Sequence, residues 1–133
     1  RPDMALYKFI SSIFNNKPIT LYNHGKHIRD FTYIDDVVGY LNLLIKKDPK
    51  GKNTYNVFNI GSNKPKSLSF FIKVINKLTK KHIKINKIQM QTGDIYKTHA
   101  DNRKIINFLG KEFHTPLQIG IKNFIDWYKK YES

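Results

Sequence analysis

The chain has 133 residues, with 24 lysines and arginines against 10 aspartates and glutamates, for a formal net charge of +14. That length suits one domain able to bury a real core, and the absence of cysteine excludes a disulfide framework, a thiolate nucleophile and a thiolate metal site. No apolar run reaches the roughly 18 residues of a transmembrane helix, and the amino end lacks a secretory-type apolar stretch, so a cytoplasmic protein with no membrane partner is expected.

The chain opens "RPDMALYKF", without an initiator methionine and already helical in pattern, which suggests a piece of something longer. Residues 3 to 16 place Met4, Tyr7, Ile10, Ile13 and Phe14 on one helical face. "NNKP" ends that helix, "PITLY" reads as a short strand and "NHGKH" as a polar turn. Aromatic and β-branched residues from Phe31 to Ile34 predict a strand. Asp35 or Asp36 then caps a helix carrying "VVGYLNLLI", which is apolar on nearly every side and should be buried on more than one face.

"KKDPKGKN" is a charged turn and "YNVFNIG" a predicted strand. "KSLSFFIKVINKL" starts at a serine suited to N-capping and keeps its apolar positions 68, 71, 72, 75 and 78 in helical register. In "HIKINKI", Ile83, Ile85 and Ile88 alternate loosely with polar residues, as in a strand with one wet face. "QMQTGDIYKTHA" is irregular; Asp101 can cap "NRKIINFL", and Gly110 can close it in a left-handed conformation. Thr115, Pro116 and Gln118 have the order of a capping box with a first-turn proline, opening a helix through "LQIGIKNFIDWYKKY". Alternating strands and helices indicate an α/β or α+β domain.

The chemistry of the residues narrows the function. A basic nucleic-acid-binding module is one reading of the charge, but 21 of the 24 basic residues are scattered lysines, so no nucleic-acid partner is expected. Tyr22 and Lys26 have a tyrosine-x-x-x-lysine spacing, yet the intervening "NHG" breaks the helix that would align them for acid–base work. No glycine-rich dinucleotide or P-loop fingerprint occurs, nor a glycine-framed serine elbow. His24 and His27 flank a glycine turn with no third ligand placed, so no metal site is expected. Binding groups are better supplied. Arg29, just after a glycine turn, can offer a guanidinium fork to a phosphate or carboxylate, or simply pair with Asp30 or Asp35. In "QTGD", an amide and a carboxylate flank a glycine, as a sugar-gripping turn or an ordinary one would.

"RPDMALYKF", "KPITLYNHGKHIRDFTYIDDVV", "YNVFNIGS", "MQTGDIYKTHAD" and "IKNFIDWYKKY", in that order, resemble the carboxyl-terminal part of nucleotide-sugar epimerases of the extended short-chain dehydrogenase/reductase superfamily, most of all UDP-glucuronate 4-epimerases. The resemblance spans essentially the whole chain. It implies that residues 1–133 form a C-terminal substrate-binding lobe without its Rossmann domain, and that NAD is bound by that missing amino-terminal domain together with a catalytic tyrosine and lysine. It further implies that residues 29–46 cross over to pack on the Rossmann domain, that the partner is a UDP-sugar, and that the full-length protein is a homodimer. No catalytic residue falls in this stretch.

Position by position, the resemblance implies that Arg1 reads the sugar carboxylate and that Thr20 and Tyr22 line the uracil site. Arg29 would clamp the diphosphate, and Gln91 and Asp94 would reach the diphosphate and ribose. The family usually has proline where this chain has Thr92, a departure that bears on Gln91; Lys26 and His27 match nothing carried over. A dehydratase or an epimerase for another UDP-hexose stays open, since Arg1 is the only residue that argues for a uronate.

Overall fold

The helical spacing near the start of the chain produces α1, Ala5–Phe14, in the computed structural model, which describes residues 3–47 and 55–132. Its buried residues are Phe9, Ile10 and Ile13, whereas Met4, expected on that face, is half exposed. Asn15 ends the helix by donating its N–H to Ser11 O (2.9 Å). β1, Ile19–Leu21, follows with Ile19 and Leu21 buried and Thr20 outward. Tyr22, expected to extend that strand, instead opens a 3-10 turn, Tyr22–Gly25, in which Asn23, His24 and Gly25 all have positive φ (47°, 52° and 78°). The chain turns back too tightly there for a strand to continue.

β2, Ile28–Arg29, pairs antiparallel with β3, Lys66–Ser67, two short strands without a sequence signal of their own. β4, Ile85–Lys87, lies within the expected "HIKINKI" strand and pairs parallel with β1, Ile19 opposite Ile85 and Leu21 opposite Lys87. The two predicted strands at 31–34 and 55–61 do not form. Residues 31–33 have no strand partner among the described residues, and Ile34 already belongs to α2, Ile34–Lys46. Tyr55 and Val57 are largely exposed, and without a neighbouring strand to complete the ladder an extended segment has no reason to count as a sheet.

α2 corrects the capping expectation. Its N-cap is Tyr33, with no side-chain cap, while Asp35 and Asp36 occupy the first turn, where negative charge complements the helix dipole. The Asp36 carboxylate instead accepts from the Thr115 N–H and the Thr115 hydroxyl, both at 2.8 Å. Thr115 is thereby drawn out of its expected capping box, and Pro116 caps α5, Leu117–Tyr131. Gly39 lets the Phe113 ring lie directly against α2: a side-chain carbon there would stand 2.7 Å from the ring. Tyr40, fully buried, packs edge-on to Phe113 and accepts its N–H at 3.2 Å. One side of α2 is thus fastened to the lead-in of α5. Ile34, Val38, Leu41 and Ile45 remain exposed, so within the described residues the helix is buried on one face and not on several.

α3, Leu68–Thr79, completes the core. Ser67 caps it, its hydroxyl accepting the Phe70 N–H at 3.1 Å. Ser67→Ala is expected to destabilise the fold by about 1 kcal/mol, read as a lowered urea midpoint with an unchanged slope. Phe71, Ile72, Val74 and Ile75 of α3 meet Ile10 and Ile13 of α1, Ile19 and Leu21 of β1, and Ile121, Ile125 and Tyr128 of α5 in one buried cluster. Phe31 stacks on Phe71 with centroids 4.1 Å apart, which ties the segment after β2 to that cluster. α4, Arg103–Leu109, ends as expected at Gly110, left-handed at φ 70°. Asp101 is not its formal N-cap, but its carboxylate accepts the Arg103 N–H at 3.0 Å. Mixed helices and short strands give the α/β class read from the sequence.

Candidate functional site

Ile28 is held on both sides, and this is what presents Arg29. Besides its pairing with Ser67, its N–H donates to Tyr96 O (2.9 Å) and its carbonyl accepts from the Thr98 N–H (3.1 Å). The irregular segment after β4 is thus laid alongside β2. Arg29 Nη1 donates to the carbonyls of Ile28 (2.9 Å) and Tyr96 (3.2 Å), so one arm of the guanidinium is fixed by backbone. The other arm, Nη2, stands 3.9 Å from Asp94 Oδ1. Arg29 and Asp94 are 27% and 34% exposed, so the pair is open to a ligand on one side. Of the partners left open by the sequence, neither Asp30 nor Asp35 makes the ion pair found for Arg29; Asp94 does.

"QTGD" folds into a tight turn: the Asp94 N–H donates to Gln91 O at 3.2 Å and Gly93 takes a φ of 83°. Nothing approaches the missing side chain of Gly93 within 4 Å, so the tip of the turn faces open space. Gln91 and Asp94 therefore share one turn, and Asp94 brings it to Arg29. Thr20 and Tyr22 lie elsewhere, along a shallow groove between β1 and α1 that also includes Lys8, Ser11 and Lys17. Thr20 points outward and Tyr22 is half-buried. Arg1 lies outside the described residues. Tyr22 and Lys26 are separated by the two left-handed residues Asn23 and His24, which is not helical geometry.

Three side chains with no assigned role turn out to shape this region. Asp30 accepts from the Ser62 hydroxyl (2.7 Å) and from the N–H groups of Ala100 (2.9 Å), Asn63 (3.1 Å) and Lys64 (3.4 Å). Burial alone would raise its pKa, but these donors outweigh it and hold the carboxyl below its ordinary range. Nearby, the buried Asn102 accepts the Gly61 N–H at 3.0 Å and donates back to the Gly61 carbonyl. His27 is 2% exposed, its Nε2 has no hydrogen-bond partner, and that atom lies 3.6 Å from Asp94 Oδ2. A histidine in a glycine turn carries no local signal for either feature; both depend on where the 94–100 segment lands.

No group of three or more histidine, aspartate or glutamate side chains converges as a metal site among the described residues. The two sheets have two strands each, and no strand among the described residues runs through a glycine-rich turn into a helix. An apolar cavity of about 330 Å³ lies between the start of α1, residues 31–34 and α5, lined by Phe31, Phe71, Leu117 and Phe124 and by neither Arg29 nor Asp94.

Residues 1–61 match the model of the NAD dependent epimerase/dehydratase family. Protein CapI of Staphylococcus aureus is 37% identical over 98% of this chain and 43% of its own length. UDP-glucuronate 4-epimerase 1 of Arabidopsis thaliana is 36% identical over 98% of this chain and 34% of its own. Among solved structures, UDP-glucuronic acid 4-epimerase from Bacillus cereus, in complex with UDP-glucuronic acid and NAD, superposes with a TM-score of 0.88 and 29% identity, covering 98% of this chain and 41% of that one. The chain spans about two fifths or less of the length of these curated relatives.

Proposed function

We propose for this chain, whose residues 1–61 match the model of the NAD dependent epimerase/dehydratase family, the role of the UDP-sugar-binding lobe of a nucleotide-sugar 4-epimerase, one that interconverts UDP-glucuronate and UDP-galacturonate. The observation that carries the reading is the meeting of Arg29 and Asp94. They come from separate, distant stretches of sequence, and they converge as a half-open cation and carboxylate beside a turn with an exposed tip. Arg29 supplies a positive fork for the diphosphate. Gln91 supplies an amide for the diphosphate, and Asp94 a carboxylate for the ribose hydroxyls. Thr20 and Tyr22 offer strand-edge backbone and an aromatic ring to uracil.

The division of labour follows from the chemistry. An epimerase must hold the nucleotide firmly while the sugar turns over, so binding energy belongs on the remote, non-reacting diphosphate. NAD, in this reading, is held by a part of the protein outside these residues and supplies hydride transfer at the sugar; residues 1–133 alone turn over no substrate. Arg1 is assigned to the uronate carboxylate, because a bidentate pair separates a carboxylate from a neutral hydroxymethyl.

The full-length protein, assayed by NMR of its products, is expected to convert UDP-glucuronate to UDP-galacturonate. It should use UDP-glucose at least about a hundredfold less efficiently, because a hydroxymethyl offers the assigned cation no partner. Arg1→Met should erase most of that preference. Preference for UDP-glucose, or a product that has lost water, would overturn the uronate assignment; steep salt-dependent binding to nucleic acid without competition by UDP would overturn the lobe itself.

A further inference from the structure

Among the described residues near the candidate site, His27 is the buried side chain whose hydrogen-bonding capacity is left over. Its ring is 2% exposed, held with Tyr96 at a centroid distance of 6.4 Å, and its Nε2 has no partner. A buried polar atom without a partner is costly enough that native folds rarely leave one idle. The only charged group beside this atom in the described ion pairs is Asp94, whose Oδ2 lies 3.6 Å away. The other oxygen of the same carboxylate, Oδ1, lies 3.9 Å from Arg29 Nη2. Asp94 therefore hangs between two donors and is within good hydrogen-bonding distance of neither. A movement of about 0.7 Å would take the 3.6 Å separation to the usual 2.9 Å. The open tip of the Gln91–Asp94 turn gives it room to move.

We infer that His27 is a positioning residue: with its proton on Nε2, it takes the Asp94 carboxylate when a diphosphate occupies Arg29. The argument is competitive. A phosphate oxygen arriving at Arg29 Nη2 brings negative charge against Asp94 Oδ1, which must retreat. Arg29 cannot follow it, because its Nη1 is held by the Ile28 and Tyr96 carbonyls. The group on the retreat side is His27 Nε2, already buried and unpaired. Pairing there satisfies the orphan donor, removes the carboxylate from the anion's path and leaves the Gln91–Asp94 turn fixed toward the nucleotide. His27 touches no ligand itself; it acts through Asp94. The identity of the ligand rests on the nucleotide-sugar reading above.

The experiment uses the full-length protein and UDP as the probe. His27→Met keeps the bulk and removes the donor, and His27→Gln keeps a donor at a similar reach. UDP affinity by calorimetry is expected to fall about tenfold in His27→Met and to recover in His27→Gln. KM for the UDP-sugar should rise while kcat stays within about twofold. In the wild-type protein, the ¹⁵N resonance of His27 Nε2 is expected to shift on saturation with UDP, a readout that needs no variant to fold. If UDP binds and neither the His27→Met affinity nor the Nε2 resonance changes, the positioning role is wrong while the ligand reading stands. If the wild-type protein does not bind UDP, the ligand reading itself is wrong and the inference goes with it.

Discussion

Replacing Asp30 by alanine is expected to destabilise the fold by about 2–4 kcal/mol, the largest loss for any single polar side chain outside the core. The carboxylate draws together three segments distant in sequence: β2, the 61–64 loop and the 98–102 segment. Its removal strands three N–H groups and the Ser62 hydroxyl at once. Water can reach part of this cluster, which keeps the figure at the lower end for four charge-assisted bonds. Asp30→Asn should be nearly as damaging, because an amide presents one acceptor and turns a donor toward donors.

The same carboxylate gives a pH signature. Its folded pKa lies below the ordinary 3.8, since the donors from Ala100, Ser62, Lys64 and Asn63 outweigh burial. A depressed carboxylate contributes stability that is fully present above its unfolded pKa and is lost as pH falls through the folded value. The wild-type protein should therefore lose stability with acid below about pH 4 more steeply than Asp30→Asn. Urea midpoints taken at pH 7, 4 and 3 decide it, and parallel losses in the two proteins would exclude Asp30 as the titrating group.

Arg29→Ala in the full-length protein is expected to weaken UDP-sugar binding about a hundredfold, or about 2.7 kcal/mol. Truncation removes the fork from the diphosphate and also leaves Asp94, 3.9 Å away, as an unbalanced negative charge facing it. Arg29→Lys should recover only part of the loss, since one ammonium cannot both replace the Nη1 bonds to Ile28 and Tyr96 and reach a phosphate. The Michaelis constant should carry most of the change. If calorimetry finds UDP affinity unchanged in Arg29→Ala, the site lies elsewhere, and the groove beside Thr20 and Tyr22 becomes the place to look.

"RDFTYIDD" contains much of what was legible and what was not. Arg29 could be singled out as a candidate binding residue by its type and its place after a glycine turn, with pairing to Asp30 or Asp35 as the alternative. Asp30 could not, because its partners lie more than thirty residues downstream. Asp35 or Asp36 is the expected local cap, since carboxylates at helix starts usually are, yet neither caps α2 and Asp36 serves Thr115 at the mouth of α5. His27 had no signal, as a buried orphan nitrogen exists only once the 94–96 segment has folded over it. The predicted strands at 31–34 and 55–61 failed for a related reason: β-propensity describes a residue's fitness for a pleated surface and cannot supply the neighbouring strand.

By itself the sequence determined where the helices lie, though not the first residues of α2, α4 and α5. The apolar spacing of α1, α3 and α5, the Ser67 cap and the left-handed Gly110 act between residues within a few positions of each other, where spacing along the chain is spacing in space. The five ordered sequence blocks likewise carried the resemblance to nucleotide-sugar epimerases. Only the tertiary structure decided which polar groups meet: Arg29 and His27 with Asp94, and Asp30 with the Ser62 hydroxyl and the backbone N–H groups of Asn63, Lys64 and Ala100. Those contacts depend on loop closure over many residues, and any of several donors would have satisfied each carboxylate equally well until the packed core of α1, β1, α3 and α5 brought one set within reach.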